Sequence, residues 1–209
     1  MGPDVCRAAK TTALAAGGVV GPAAFIADWT VLGARRSGYS PVDDAISRLA
    51  ELGSSTRPAM TAGFLAYGVG LVSYGLALRA AERGPTWAFA VGSGAASFGV
   101  ATFPLGTPTS GRIHAVFALV GYGCLAAIPM VTAATTQRRR LGRRRPLEWA
   151  SIVTGVTCAG LLVISVVEER AHGATQRAGL TVGDLWIVCS AIGLIRSLAT
   201  HRTEARPPA

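Results

Sequence analysis

Six stretches of this chain are long and apolar, and nearly all its charge falls between them. They run at about 11–33, 59–80, 86–103, 113–136, 147–167 and 179–198. A helix rises 1.5 Å per residue, so about 20 residues cross a hydrocarbon layer ~30 Å thick. Five stretches reach that length, and 86–103 sits near the short limit. Segments 69–78 and 152–167 carry no charge on any face, whereas the surface helix of a soluble protein is polar on its outer side. The pattern predicts an all-α fold: a polytopic integral membrane protein, one six-helix transmembrane bundle over 1–209. A polar, Pro-rich tail at 200–209 is expected to be disordered and cytoplasmic.

The net charge of +9 would suggest nucleic acid in a soluble protein. Here the basic run at 137–146 is a short link between apolar stretches, which reads as an anchor beside anionic headgroups and gives no reason to expect nucleic acid. With six spans, both termini share one side with the links at 80–85 and 137–146. That side holds thirteen Arg and Lys and the other holds seven, so the N and C termini are expected in the cytoplasm. The first stretch follows Arg7 and Lys10 like a signal peptide. Its Ala13-Leu-Ala15 triplet begins the run instead of ending it, so a retained span is expected.

The acids are less evenly placed. Seven of the eleven lie on the predicted outer side, and two of those, Asp28 and Asp184, fall within apolar stretches about one turn from their outer ends. His114 opens the fourth stretch and Glu168 closes the fifth at the same boundary. A lone charge in hydrocarbon is costly, so such groups face a cavity or one another. Asp28, His114, Glu168 and Asp184 are therefore the candidates for catalysis, and Arg112, Arg170 and Arg177 the cations at hand to pair with them. The alternative is a ring of salt bridges fixing helix ends. Tyr39, Asp44, Arg112 and Arg177 are the candidates for ligand binding.

The first outer segment has a helix signature. Ser40-Pro41-Val42-Asp43 suits an N-cap, with Pro at N1 and Asp at N3, and Val42, Ala45, Ile46 and Leu49 then share one face. A short amphipathic helix is expected there, as a lid on the bundle or lying on the leaflet. Small residues four apart, such as Gly17 and Gly21, Ala95 and Gly99, or Gly155 and Ala159, predict close helix packing within the bundle; a homodimer would use the same pattern, so monomer and dimer both fit. Pro22 and Pro129 fall inside spans one and four, where each is a site for a bend.

Nothing in the sequence calls for a cofactor. There is no Walker loop, dinucleotide fingerprint or Cys-x-x-Cys. The four cysteines show no paired spacing, and three histidines split between opposite sides do not build a zinc site. No inverted repeat argues for a coupled transporter.

Several outer segments carry a family pattern: Gly38-Tyr-Ser-Pro41 with Asp44-x-Ile46-Ser47-x-Leu49, then Phe103-Pro104 and Gly111-x-x-His114, then Gln176-Arg177. In these the chain resembles the DUF998 family of small six-span bacterial and archaeal membrane proteins, over nearly its whole length. The resemblance implies a place in the bacterial inner (plasma) membrane. That family often has an acid two positions after the Phe-Pro pair, where this chain has Gly106. A distant likeness to the FRAG1/DRAM/Sfk1-like membrane proteins implies a link to lipid handling.

Three functions fit this pattern. One is a membrane protein binding or handling a lipid or other amphiphile in a polar pocket open to the outer leaflet. Another is an intramembrane enzyme using carboxylic acids for acid–base chemistry on a lipid or isoprenoid, terpene cyclisation being one such reaction. The third is a structural or assembly partner without catalysis. Orientation is testable first: cysteines placed at Thr107 and Gly142 and labelled from outside should react at Thr107 and not at Gly142. The reverse result would invert the bundle.

Overall fold

The computed structural model describes residues 3–139, 146–168 and 170–204. Six helices follow in order: α1 Pro3–Arg35, α2 Arg57–Ala80, α3 Thr86–Thr102, α4 Pro108–Arg139, α5 Pro146–Val167 and α6 His172–Glu204. Five are long and apolar enough to cross a membrane; α3, at 17 residues, lies at the short end of what can span. The chain is a multi-pass membrane protein built as a helical bundle. Each helix packs on the next, and α1 also packs on α6, so the ring closes in chain order.

Most helices exceed the apolar stretch that announced them. Helix α6 continues to Glu204, so 200–204 are helical where a disordered tail was expected, and 205–209 lie outside the described residues. So does most of the basic link, 140–145. Helices α1 and α4 continue through Pro22 and Pro129, and both prolines are fully buried.

Small residues set the closeness of the ring. Gly17 and Gly21 of α1 meet Gly70 of α2 backbone to backbone, and a β-carbon added at Gly70 would fall 2.7 Å from the Gly17 carbonyl oxygen. Gly68 and Gly94 do the same between α2 and α3, with a β-carbon at Gly94 falling 2.7 Å from the Gly68 carbonyl oxygen. With no hydrophobic drive between helices in lipid, such close van der Waals contact is a main source of association. Hydrogen bonds add to it: Tyr74 Oη donates to Ser190 Oγ at 2.8 Å, and Trp186 Nε1 to Ser151 Oγ at 3.1 Å.

The links 36–56 and 103–107 and the start of α6 meet at one end of the bundle, called the loop end below. There Leu52 N–H donates to Leu105 O at 2.9 Å, and Ala174 N–H to Val42 O at 2.8 Å. The expected amphipathic α-helix is present only as a 3-10 helix, Ile46–Ala50. The Ser40 signature forms, but it closes a turn: Asp43 N–H donates to Ser40 Oγ at 3.2 Å and Asp44 N–H to Ser40 O at 2.7 Å. The turn is not continued as an α-helix, and the chain there is bonded to α6 instead, the Ile46 N–H going to Gln176 Oε1. Pro41 O and Asp44 O accept from Arg177, and Val42 O accepts from Ala174. Ile46, Ser47, Leu49 and Ala50 are then buried against the bundle instead of lying on a leaflet.

The α1–α2 contact gives a direct test. Gly70→Ile should lower the melting temperature in detergent by several degrees, the scale of ~1–3 kcal/mol of overpacking. Gly123→Ala, where an added β-carbon meets nothing within 4 Å, should leave it unchanged. Equal shifts for the two would contradict glycine-set packing.

Candidate functional site: a laterally open cavity at the loop end

Arg177 organises this end. It lies in the second turn of α6 and is buried, 8% exposed. Its Nη1 donates to Pro41 O at 2.7 Å, Asp44 O at 2.9 Å and Gly173 O at 2.9 Å, and its Nη2 donates to Tyr39 Oη. The guanidinium also stacks against Trp29 and Tyr39, at 5.4 Å and 5.5 Å from the ring centroids. Tyr39 passes its own proton to Ala45 O at 3.1 Å. Burial raises the Tyr39 pKa above its ordinary value, against the lowering influence of Arg177, so the phenol stays neutral and can donate. Gly173 must be glycine: a β-carbon there would fall 2.3 Å from Asp44 O and 2.7 Å from Arg177 Nη1.

This arrangement is a latch. One arginine fastens the first loop to α6, and beside it Gln176 Oε1 accepts from Ile46 N–H at 2.7 Å. The polar atoms of Tyr39 and Arg177 are largely spent on the chain itself. Asp44 is spent likewise, its carboxylate binding Ser40 N–H and Arg48, both at 2.8 Å. Arg112 is exposed at the start of α4.

Under the latched loop lies a cavity of about 260 Å³, bordered by all six helices and the 3-10 helix. Its wall is mostly apolar, with Phe25, Phe64, Phe117 and Leu125 giving much of the surface. Among the described residues, no Asp, Glu, Lys or Arg lines it. Ala115 and Leu119 of α4 and Val166 of α5 border it and are also exposed on the outside of the bundle, Leu119 at 58% and Val166 at 70%. The cavity therefore opens sideways between α4 and α5, where lipid surrounds a membrane bundle.

Its polar groups are few and fixed. His114 Nδ1 bonds Phe103 O at 2.8 Å, and His172 Nδ1 bonds Ser165 O. A carbonyl only accepts, so each Nδ1 carries the proton. Tyr67 Oη donates to Asp184 Oδ1 at 2.8 Å, and Tyr122 Oη donates to Gln176 O at 3.3 Å. Asp184 is fully buried behind Tyr67, and its Oδ2 has no hydrogen-bond partner among the described residues.

The four expected catalytic residues are thus separated. His114 lines the cavity, and Asp184 reaches it only through Tyr67. Asp28 does not line it; its carboxylate lies against Gly63 of α2. Glu168 is exposed after α5 and accepts from Arg170 N–H at 3.2 Å. Among the described residues no ion pair joins Arg112, Arg170 or Arg177 to Asp28 or Asp184, and Arg177 is committed to carbonyls. No group of three or more His, Cys, Asp and Glu comes together among the described residues. Sequence reasoning missed Tyr67, Tyr122 and Gln176 as wall residues. Polar rings within apolar stretches were the available signal for the tyrosines.

The family model for "Protein of unknown function (DUF998)" matches residues 19–193. The chain belongs to the DUF998 family. No curated protein and no solved structure matches it. Within the family pattern, Gln176-Arg177 and the segment around Asp44 and Ile46 are the two halves of the latch. Gly106, which follows the Phe103-Pro104 pair, has φ +127°, and a β-carbon there would fall 2.8 Å from Leu52 Cβ. An acidic side chain does not fit this loop conformation.

Proposed function

We propose that this protein binds or handles a membrane lipid or other amphiphile in the loop-end cavity, taken in sideways from the outer leaflet of the bacterial inner membrane. The carrying observation is the apolar cavity that opens between α4 and α5 beneath a latched loop. An aqueous substrate would be served better by an opening at the loop end itself, which the 3-10 helix covers. The cytoplasmic side for both termini rests on the thirteen-to-seven distribution of Arg and Lys. The likeness to FRAG1/DRAM/Sfk1-like proteins points the same way by analogy alone.

A volume of about 260 Å³ is near the lower end of small-molecule pockets, which suits one chain and a compact head better than a two-chained lipid. An enzymatic reading draws on one observation, the Tyr67–Asp184 hydrogen bond behind the wall, which could connect a buried carboxyl to a bound molecule.

Photolabelling with a diazirine-bearing single-chain alkane probe in membranes tests the binding site. Adducts are expected inside the cavity, at Leu125 or Phe64, as well as on lipid-facing positions such as Val153. Leu119→Trp should fill the mouth and cut the inner adducts about tenfold, a barrier of ~1.4 kcal/mol, while Val153 labels as before. Inner adducts that are absent, or unchanged by Leu119→Trp, would refute lateral entry.

A further inference from the structure

The cavity wall has given away its protons. Tyr67 donates to Asp184 and Tyr122 to Gln176 O. Ser93 Oγ donates to Gly121 O at 3.1 Å, Ser97 Oγ to Phe64 O at 2.8 Å, and Ser165 Oγ to Leu162 O at 2.8 Å. The two histidines bond their Nδ1 protons to backbone carbonyls. Every acceptor in these seven bonds is a carbonyl or a carboxylate of the protein itself. Ser47 is the remaining hydroxyl on the wall.

A hydroxyl that has donated its one proton still holds lone pairs, and it can only accept from a guest. The wall therefore offers acceptors almost alone. Its fixed donor is the Gln176 carboxamide: Ile46 N–H must meet the oxygen, which leaves the NH2 group to donate. Among the described residues no Lys or Arg lines the space, and Arg177, the nearest arginine along α6, spends its terminal nitrogens on the latch.

We propose that the occupant is an uncharged single-chain alcohol, an acyl or isoprenoid chain ending in a hydroxyl. This rests on the amphiphile-binding reading and narrows it. A hydroxyl donates once, into a wall rich in acceptors, and accepts from Gln176. A phosphate or carboxylate brings only acceptors and a charge, and it would meet lone pairs with no counter-ion, in surroundings where burying a charge is expensive. An ammonium head finds acceptors but, among the described residues, no carboxylate on the wall to compensate its charge.

The test is competition against the cavity photoadduct by five probes of equal chain length: dodecanol, dodecane, dodecylamine, laurate and dodecyl phosphate. The full-length protein is used at pH 8, where the acid and the phosphate are ionised and the amine is protonated. Dodecanol is expected to displace the adduct at a mole fraction at least tenfold lower than any of the other four. Ser165→Ala removes one acceptor with little change of shape. It should weaken dodecanol about fivefold and leave dodecane unchanged. Ser97→Ala is a second such variant, should the first fold poorly. If laurate, dodecyl phosphate or dodecylamine competes as well as dodecanol, the assignment of an alcohol is wrong while the amphiphile site stands. Equal competition by dodecane and dodecanol would show that the wall reads no head group, and the proposal falls. If no cavity adduct forms at all, both this inference and the binding reading fail.

Discussion

A buried guanidinium bound to three backbone carbonyls holds the loop end of this protein together. Arg177 carries a full charge and, among the described residues, forms no ion pair; its partners are Pro41 O, Asp44 O, Gly173 O and the Tyr39 hydroxyl. Hydrogen bonds to a charged group are worth roughly 1.5–3 kcal/mol each, so several converging on one planar fork can offset the cost of its burial. The stacked rings of Trp29 and Tyr39 contribute on two sides. The same contacts tie the segment after residue 40 to α6, where the sequence favoured an α-helix, and the Ile46 N–H bonds Gln176 instead of a carbonyl four residues back. A local preference yields to a tertiary demand, and the short 3-10 helix is what remains.

That exchange shapes the cavity. Once fastened, the loop buries Ile46 and Ser47 over the gap enclosed by the helices and closes its aqueous end. The side between α4 and α5 stays open. The histidines there are held by carbonyls at the ends of neighbouring segments, His114 by Phe103 and His172 by Ser165. Ala171, at φ +58°, is the residue that turns the chain so His172 can reach back to α5. Most polar groups on the wall are therefore positioned by backbone carbonyls, with Tyr67 held by Asp184, and among the described residues no Asp, Glu, Lys or Arg lines it.

The helical bundle was legible from the sequence because apolar length is a direct physical signal: 147–167 announces α5, Pro146–Val167, almost to the residue. Glycine spacing likewise foretold the close approach of Gly17 and Gly21, though not that Gly70 would receive them. The site was less legible. Depth in an apolar stretch marked Asp184 as buried, and it is fully buried, but nothing in the pattern said that Tyr67 would stand between it and the cavity. Arg177 read as a cation awaiting a carboxylate. It instead satisfies carbonyls more than 130 positions away in the chain, a choice set by how α6 meets the first loop. Periodicity reports which face of a helix is buried; it does not report which partner that face will find.

Hydrogen exchange over residues 40–50 measures the latch most directly. The Ile46 amide, bonded to Gln176, and the Asp44 amide, bonded to Ser40, should exchange slowly in the intact protein, as slowly as amides inside a packed helix end. Arg177→Met should speed both by at least about a hundredfold, the scale of ~3 kcal/mol of lost local stability, while amides in the middle of α2 keep their protection. Rapid exchange of Ile46 in the intact protein, or no change on replacing Arg177, would contradict a structure organised by that arginine.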